Sequence, residues 1–112
     1  MQKKIKVTIV VPESLQRELR QKIINDNYGM RGKSKWVSEA IEQLLANKDY
    51  ANLVNLGDGM SGFGKVESVI LALEVKQKVD EAILEIRKEY PLLEGVQSRI
   101  IRTSIVQRLL RY

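Results

Sequence analysis

Residues 4–12 read Lys4-Ile5-Lys6-Val7-Thr8-Ile9-Val10-Val11-Pro12, and the organisation of the chain follows from them. Ile5, Val7, Ile9 and Val11 fall on one face, and Lys4, Lys6, Thr8 and Val10 on the other. That period of two predicts a half-buried β-strand whose outer face is mostly polar. Pro12 cannot donate to a ladder, but its fixed φ suits the start of a helix, and Glu13 behind it complements the helix dipole. Leu15, Leu19 and Ile23 then keep helical spacing to about residue 26, where Asn25-Asp26-Asn27-Tyr28-Gly29 stops the run, with Gly29 as the expected left-handed cap. Ser34 is placed to cap a second helix whose apolar face is Val37, Ala40, Ile41, Leu44 and Leu45.

Residues 47–64 are polar and Gly-containing and read as a linker, after which the order begins again. Val69, Leu71, Leu73 and Val75 alternate with Ser68, Ile70, Ala72 and Glu74, the pattern of a second strand. Val79, Ala82, Ile83 and Ile86 keep helical spacing until Pro91, and Ser98 opens a last helix carrying Ile101, Ile105 and Leu109. One ungapped offset of 64 relates the halves: Val7 maps to Leu71, Leu15 to Val79, Ser34 to Ser98, Lys35 to Arg99 and Ile41 to Ile105. The expected organisation is a unit at residues 1–46, a linker at 47–64 and a unit at 65–112 sharing one core. A strand with two helices of this size cannot bury its apolar faces alone, but two such units can pair their strands antiparallel over four helices. The fold class is therefore α+β and mostly helical.

Composition narrows the chemistry. The chain has no Cys and no His, which removes disulfides, thiolate metal sites and the usual general base, and no convergent carboxylate pair stands out. Catalysis, metal binding and cofactors are not expected. Its 112 residues contain no apolar run long enough for a membrane span, and the expected setting is the cytoplasm. Net charge is +5, with +4 carried by residues 1–46, −1 by residues 47–64 and +2 by residues 65–112, so the first half is the better candidate for a polyanion.

The strand-Pro12 junction, together with Gly32-Lys33-Ser34-Lys35-Trp36-Val37-Ser38-Glu39-Ala40-Ile41, resembles the ribbon-helix-helix family of Arc/MetJ-type DNA-binding proteins. The match covers residues 3–46, and the second half joins it through the repeat. Tandem copies in one chain resemble accessory proteins of plasmid conjugation, the relaxosome components. The resemblance implies sequence-specific binding of duplex DNA with the ribbon in the major groove, for relaxosome function or for transcriptional repression by a repressor of its own operon. The base-reading positions it implies are Lys4, Lys6, Thr8 and Val10 in the first half and Ile70, Ala72 and Glu74 in the second. Phosphate contacts would come from Lys33, Ser34 and Lys35 and from Ser98 and Arg99 at the starts of the second helices. Unequal reading faces imply an asymmetric or imperfectly repeated DNA site. A relaxase or other transfer or transcription proteins are further partners it suggests, with a monomeric intrachain pseudo-dimer or a homodimer as the assembly.

Other readings compete. Lys4, Lys6 and Thr8 can equally be an ordinary solvated strand face, and the scaffold can serve as a protein-interaction module without DNA readout. Trp36 at helical spacing suits core packing better than base stacking. Gly59-Met60-Ser61-Gly62-Phe63-Gly64-Lys65 fits the opening of a P-loop, but Val66 stands where a magnesium-binding hydroxyl is needed and a strand-like segment follows.

Overall fold

The computed structural model describes residues 3–29, 32–57 and 64–110. The element order is β1 (Lys4–Pro12), α1 (Glu13–Asn25), α2 (Lys33–Leu45), α3 (Tyr50–Leu56), β2 (Gly64–Ala72), α4 (Leu73–Glu89) and α5 (Val96–Leu110). The class is α+β and mostly helical, with β1 and β2 forming a two-stranded antiparallel sheet. Lys4 faces Ala72, Lys6 faces Ile70, Thr8 faces Ser68, Val10 faces Val66 and Pro12 faces Gly64.

The alternation read in β1 holds. Val7, Ile9 and Val11 are buried beneath the ribbon, while Lys4, Lys6, Thr8 and Val10 are exposed. Pro12 closes the strand and caps α1 at φ −59° and ψ 148°, so the helix begins one residue after it. Leu15, Leu19 and Ile23 form the buried stripe of α1, as their spacing predicts. The helix stops through Asn27 rather than Gly29. Asn27 adopts φ 63°, its amide bonds Ile24 O, and the Tyr28 amide reaches back to Ile23 O. This pair of bonds is a Schellman ending, with Asn tolerating the left-handed position.

The second half departs from the sequence expectation in its register. The second strand is Gly64–Ala72, four residues earlier than the 64-residue offset puts it, and helix α4 has already begun at Leu73. Between the strands, and between the starts of α1 and α4, the correspondence is 60 residues. Ala72 then stands where Pro12 stands, at φ −61° and ψ 149°. The buried stripe of α4 begins at Val75 and continues through Val79, Ala82 and Ile86. At 17 residues α4 is one turn longer than the 13-residue α1, which restores the offset of 64 further on. There, buried Trp36, Val37 and Ile41 of α2 match buried Ile100, Ile101 and Ile105 of α5.

The linker expectation is corrected as well. Seven of its residues form α3, which packs on α4 and α5 and buries Val54 completely. Residues 58–63 lie outside the described residues, and with them most of the P-loop-like run; Gly64 and Lys65 open β2 rather than a phosphate loop.

Helices α2 and α5 share the largest helix–helix contact at the centre of the core, under the apolar side of the ribbon. The undersides of both strands and stripes from α1, α2, α4 and α5 form one continuous cluster. Each fully buried aliphatic side chain contributes about 1.5–3 kcal/mol, and the two halves supply each other's cover. The ribbon thereby lies on the molecular surface with its apolar underside covered.

Candidate nucleic-acid interface

The exposed face of the ribbon is a short grid. One strand supplies Lys4, Lys6, Thr8 and Val10, and the other supplies Val66, Ser68 and Ile70. Three aliphatic groups stand in solvent here, Val10 at 46%, Val66 at 65% and Ile70 at 49% exposure. The row formed by Lys6 and Ile70 therefore joins an ammonium to an aliphatic group, whereas the row formed by Val10 and Val66 is wholly aliphatic. Thr8 and Ser68 place a hydroxyl on each strand at the middle.

The second strand presents different residues from those its alternation predicts. Ile70 is on the exposed face as expected. Ala72 has the correct parity, but it is half-buried against the core at the ribbon's end. Glu74 is not on the ribbon; it lies in the first turn of α4, where a carboxylate complements the helix dipole. Val66 and Ser68 replace it. A shift of four residues preserves strand parity, so the 64-residue offset kept the correct face while choosing the wrong residues.

The second helices flank the ribbon on opposite edges. Helix α2 meets the β2 edge, where Ser34 Oγ accepts a hydrogen bond from the Ile70 amide at 2.9 Å. Helix α5 meets the β1 edge, where Arg102 Nη1 donates to Val10 O at 3.1 Å. Ser34 is therefore not the cap expected for α2. The helix starts at Lys33 after Gly32, with no side-chain cap, and Ser34 within its first turn secures the ribbon edge instead. Ser34→Ala should cost about 0.5–1.5 kcal/mol and speed hydrogen exchange selectively at the Ile70 amide. Unchanged exchange there would show that water replaces the hydroxyl fully.

Trp36 N bonds Gly32 O, which leaves the amides of Lys33, Ser34 and Lys35 at the open first turn of α2. Arg99 N bonds Gly95 O in the same way, so Ser98, half-buried, is also inside the first turn of α5 rather than its cap. Arg99 Nε donates to Glu94 O at 3.0 Å, drawing its guanidinium back along the preceding loop. Lys35 is exposed, with its ammonium 5.6 Å from the Tyr28 ring centre. Lys33 is placed differently from its expected phosphate role: its ammonium is 2.8 Å from Glu67 and points to the underside of the ribbon.

Glu67 was not singled out from the sequence. It occupies an inward position of β2, opposite Ile9, and is only 4% exposed. Burial alone would raise its pKa, but hydrogen bonds from Lys33, Gln16 and Arg20, with the charge of Lys33, hold it below the usual carboxylate value. The signal available in the sequence was its parity, since a Glu two residues before Val69 falls on the buried face.

A second polar cluster fastens α5 to α2. The Arg108 guanidinium lies 4.5 Å from the Trp36 ring centre and donates to Trp36 O, to Glu39 and to the Tyr28 hydroxyl. Tyr28 in turn donates to Glu39, and the Trp36 indole donates to Asp26 at 3.0 Å. Trp36 is completely buried, in keeping with a core role.

Among the described residues no group of His, Cys, Asp or Glu could hold a metal ion, and no helix is long and apolar enough to cross a membrane. Comparison with protein-family models, curated proteins and solved structures found no match to this chain.

Proposed function

We propose that this chain is a tandem ribbon-helix-helix protein that binds duplex DNA sequence-specifically, inserting the exposed face of its ribbon into the major groove. The observation that carries this reading is the grid of Lys4, Lys6, Thr8, Val10, Val66, Ser68 and Ile70, flanked on one edge by Ser34 at the start of α2 and on the other by Arg102 in the second turn of α5. A two-stranded ribbon fits the width of the major groove, where lysine donates to guanine O6 and N7 and aliphatic groups meet thymine methyls. The open first turns of α2 and α5, with Lys35 beside one of them, supply phosphate contacts.

The tandem reading is supported by the pairing itself. Cross-strand partners sum to 76 and equivalent strand positions differ by 60, so an internal two-fold would pass between Thr8 and Ser68. Across that axis Lys6 corresponds to Val66 and Val10 to Ile70. The two halves of the grid differ in chemistry, and the DNA site they fit is asymmetric. Within a cell such a protein serves as an accessory factor of plasmid conjugative transfer, with a relaxase as its partner, or as a repressor of its own operon; genomic neighbours of the gene divide these roles. The setting on this reading is the cytoplasm, and each chain carries its own ribbon partner.

Titration against duplex DNA at several salt concentrations tests the proposal. Log affinity should fall linearly with log salt, and a selected site should exceed random duplex by at least about a thousandfold. Lys6→Ala combined with Thr8→Ala should reduce site preference more than nonspecific affinity. Preserved preference in that double variant would refute ribbon readout, and absence of any salt-dependent duplex binding would refute DNA binding altogether. In the latter case the exposed Val10, Val66 and Ile70 favour a protein-interaction module.

A further inference from the structure

Glu67 breaks the equivalence of the two strands at a buried position. Its counterpart 60 residues earlier is Val7, also buried, so the same inward site carries a carboxylate in one strand and an isopropyl group in the other. The groups that receive the Glu67 carboxylate all belong to the first half: Gln16 and Arg20 on α1 and Lys33 on α2. Their counterparts in the second half are Lys76 and Asp80, at the 60-residue correspondence of α1 with α4, and Gln97, at the 64-residue correspondence of α2 with α5. Lys76 and Asp80 already pair with each other at 2.5 Å. The first set carries two positive charges; the second carries none on balance.

We propose that Glu67 is a pairing determinant, which makes the β1 half accept the β2 half and reject a second copy of itself. The inference rests on the tandem reading but not on DNA binding. Pairing β1 with another β1 would bring Val7 to the Glu67 site and leave Lys33 facing an apolar side chain beneath the ribbon. Pairing β2 with another β2 would bury Glu67 beside Lys76, Asp80 and Gln97, where the one cation is already paired with Asp80 and the net charge facing the carboxylate is zero instead of +2. The β2–β2 ribbon leaves the buried Glu67 carboxylate short of compensation, which is the costly case, while the β1–β1 ribbon deprives the partly exposed Lys33 and the exposed Arg20 of their acceptor. Only the mixed ribbon satisfies both halves. The device works as repulsive design against the wrong partner, in the manner of polar core groups that fix coiled-coil pairing.

The absence of cysteine makes the choice directly measurable. Thr8 and Ser68 face each other on the internal axis, so in any like pair of the same register each would meet its own copy. The full chain carrying Thr8→Cys and Ser68→Cys, with a protease site replacing residues 58–63, is folded, nicked and equilibrated in a glutathione redox buffer. Mass spectrometry then counts mixed and like cross-linked products. The mixed product should dominate, and Glu67→Gln or Glu67→Val should move the ratio toward the statistical mixture by about tenfold or more. A ratio unmoved by both substitutions overturns the inference while leaving the ribbon register intact. Loss of fold in both, seen by circular dichroism, also overturns it, because the carboxylate would then be a general folding requirement. Failure of the parent to form the mixed cross-link refutes the tandem reading on which the inference rests.

Discussion

Trp36→Ala should lower the stability of this protein by about 3–5 kcal/mol, among the largest effects a single substitution produces here. Trp36 is completely buried, and its removal leaves a cavity where α2 meets α5, beneath the ribbon. The same change removes the stacking surface of Arg108 and the indole donor that holds the Asp26 carboxyl below its usual pKa. Arg108 keeps its bond to the carbonyl of residue 36 only if the backbone there stays in place. A small domain has roughly 5–15 kcal/mol in total, so the variant should unfold at much lower urea, with little change in the dependence on denaturant. Far-ultraviolet circular dichroism is the appropriate signal, because the chain has one Trp and the substitution removes it. Trp36→Phe separates the contributions: it retains most of the apolar volume and loses the Asp26 bond, so it should cost less than half as much. Equal losses for the two variants would mean that the indole hydrogen bond, not packing, secures α2.

Much of this architecture was legible in the residues, and the error had a physical origin. The alternation of β1, the stripe of α1 and the apolar face of α2 each gave the correct element because each shows a single period. The second half was ambiguous because Leu71, Leu73 and Val75 alternate like a strand, while Val75, Val79, Ala82 and Ile86 keep the spacing of a helix. Val75 satisfies both patterns, and no proline marks the junction; Ala72 adopts the Pro12 backbone conformation without announcing it. A four-residue slip is the hardest kind to detect. It is even, so it preserves strand faces, and it is close to one helical turn, so it preserves helix stripes. The inserted turn of α4 then brought the last helices back to the expected offset. The exposed face of the ribbon was therefore half legible: the β1 residues lie on it as their spacing predicts, and on β2 only Ile70 does so fully. The parity of Glu67 placed it on the buried face, but the partners that hold it there, like the packing of the linker helix α3, are tertiary and no local pattern displays them.

That corrected register changes what the proposed DNA site should look like. On the tandem reading proposed above, Lys6 and Val66 are equivalent across the internal axis, and so are Ile70 and Val10. On the proposed reading, the half-site under Lys6 is selected by an ammonium that donates to guanine, and the half-site under Val66 by aliphatic contact with thymine methyls. Val66→Lys should convert the second chemistry into the first. Val66 is 65% exposed and opposite Val10 near the ribbon's end, so a lysine there extends into solvent without disturbing the core. Selection from random duplexes should return an asymmetric site for the parent chain, and a site closer to an inverted repeat, with guanine favoured in both halves, for the variant. Each new lysine–guanine contact is worth about 1–3 kcal/mol of discrimination, or roughly five- to 150-fold between matched and mismatched bases. Lys6→Ala should act in the opposite sense, erasing guanine preference in the first half-site only. The two changes need to be examined at the same salt concentration, since adding or removing a cation also alters the nonspecific contribution. A variant that gained affinity for every duplex equally, with no change in the selected sequence, would show that Val66 lies beside the phosphate backbone rather than over the bases. The ribbon would then be bound in a different orientation from the one its exposed grid suggests.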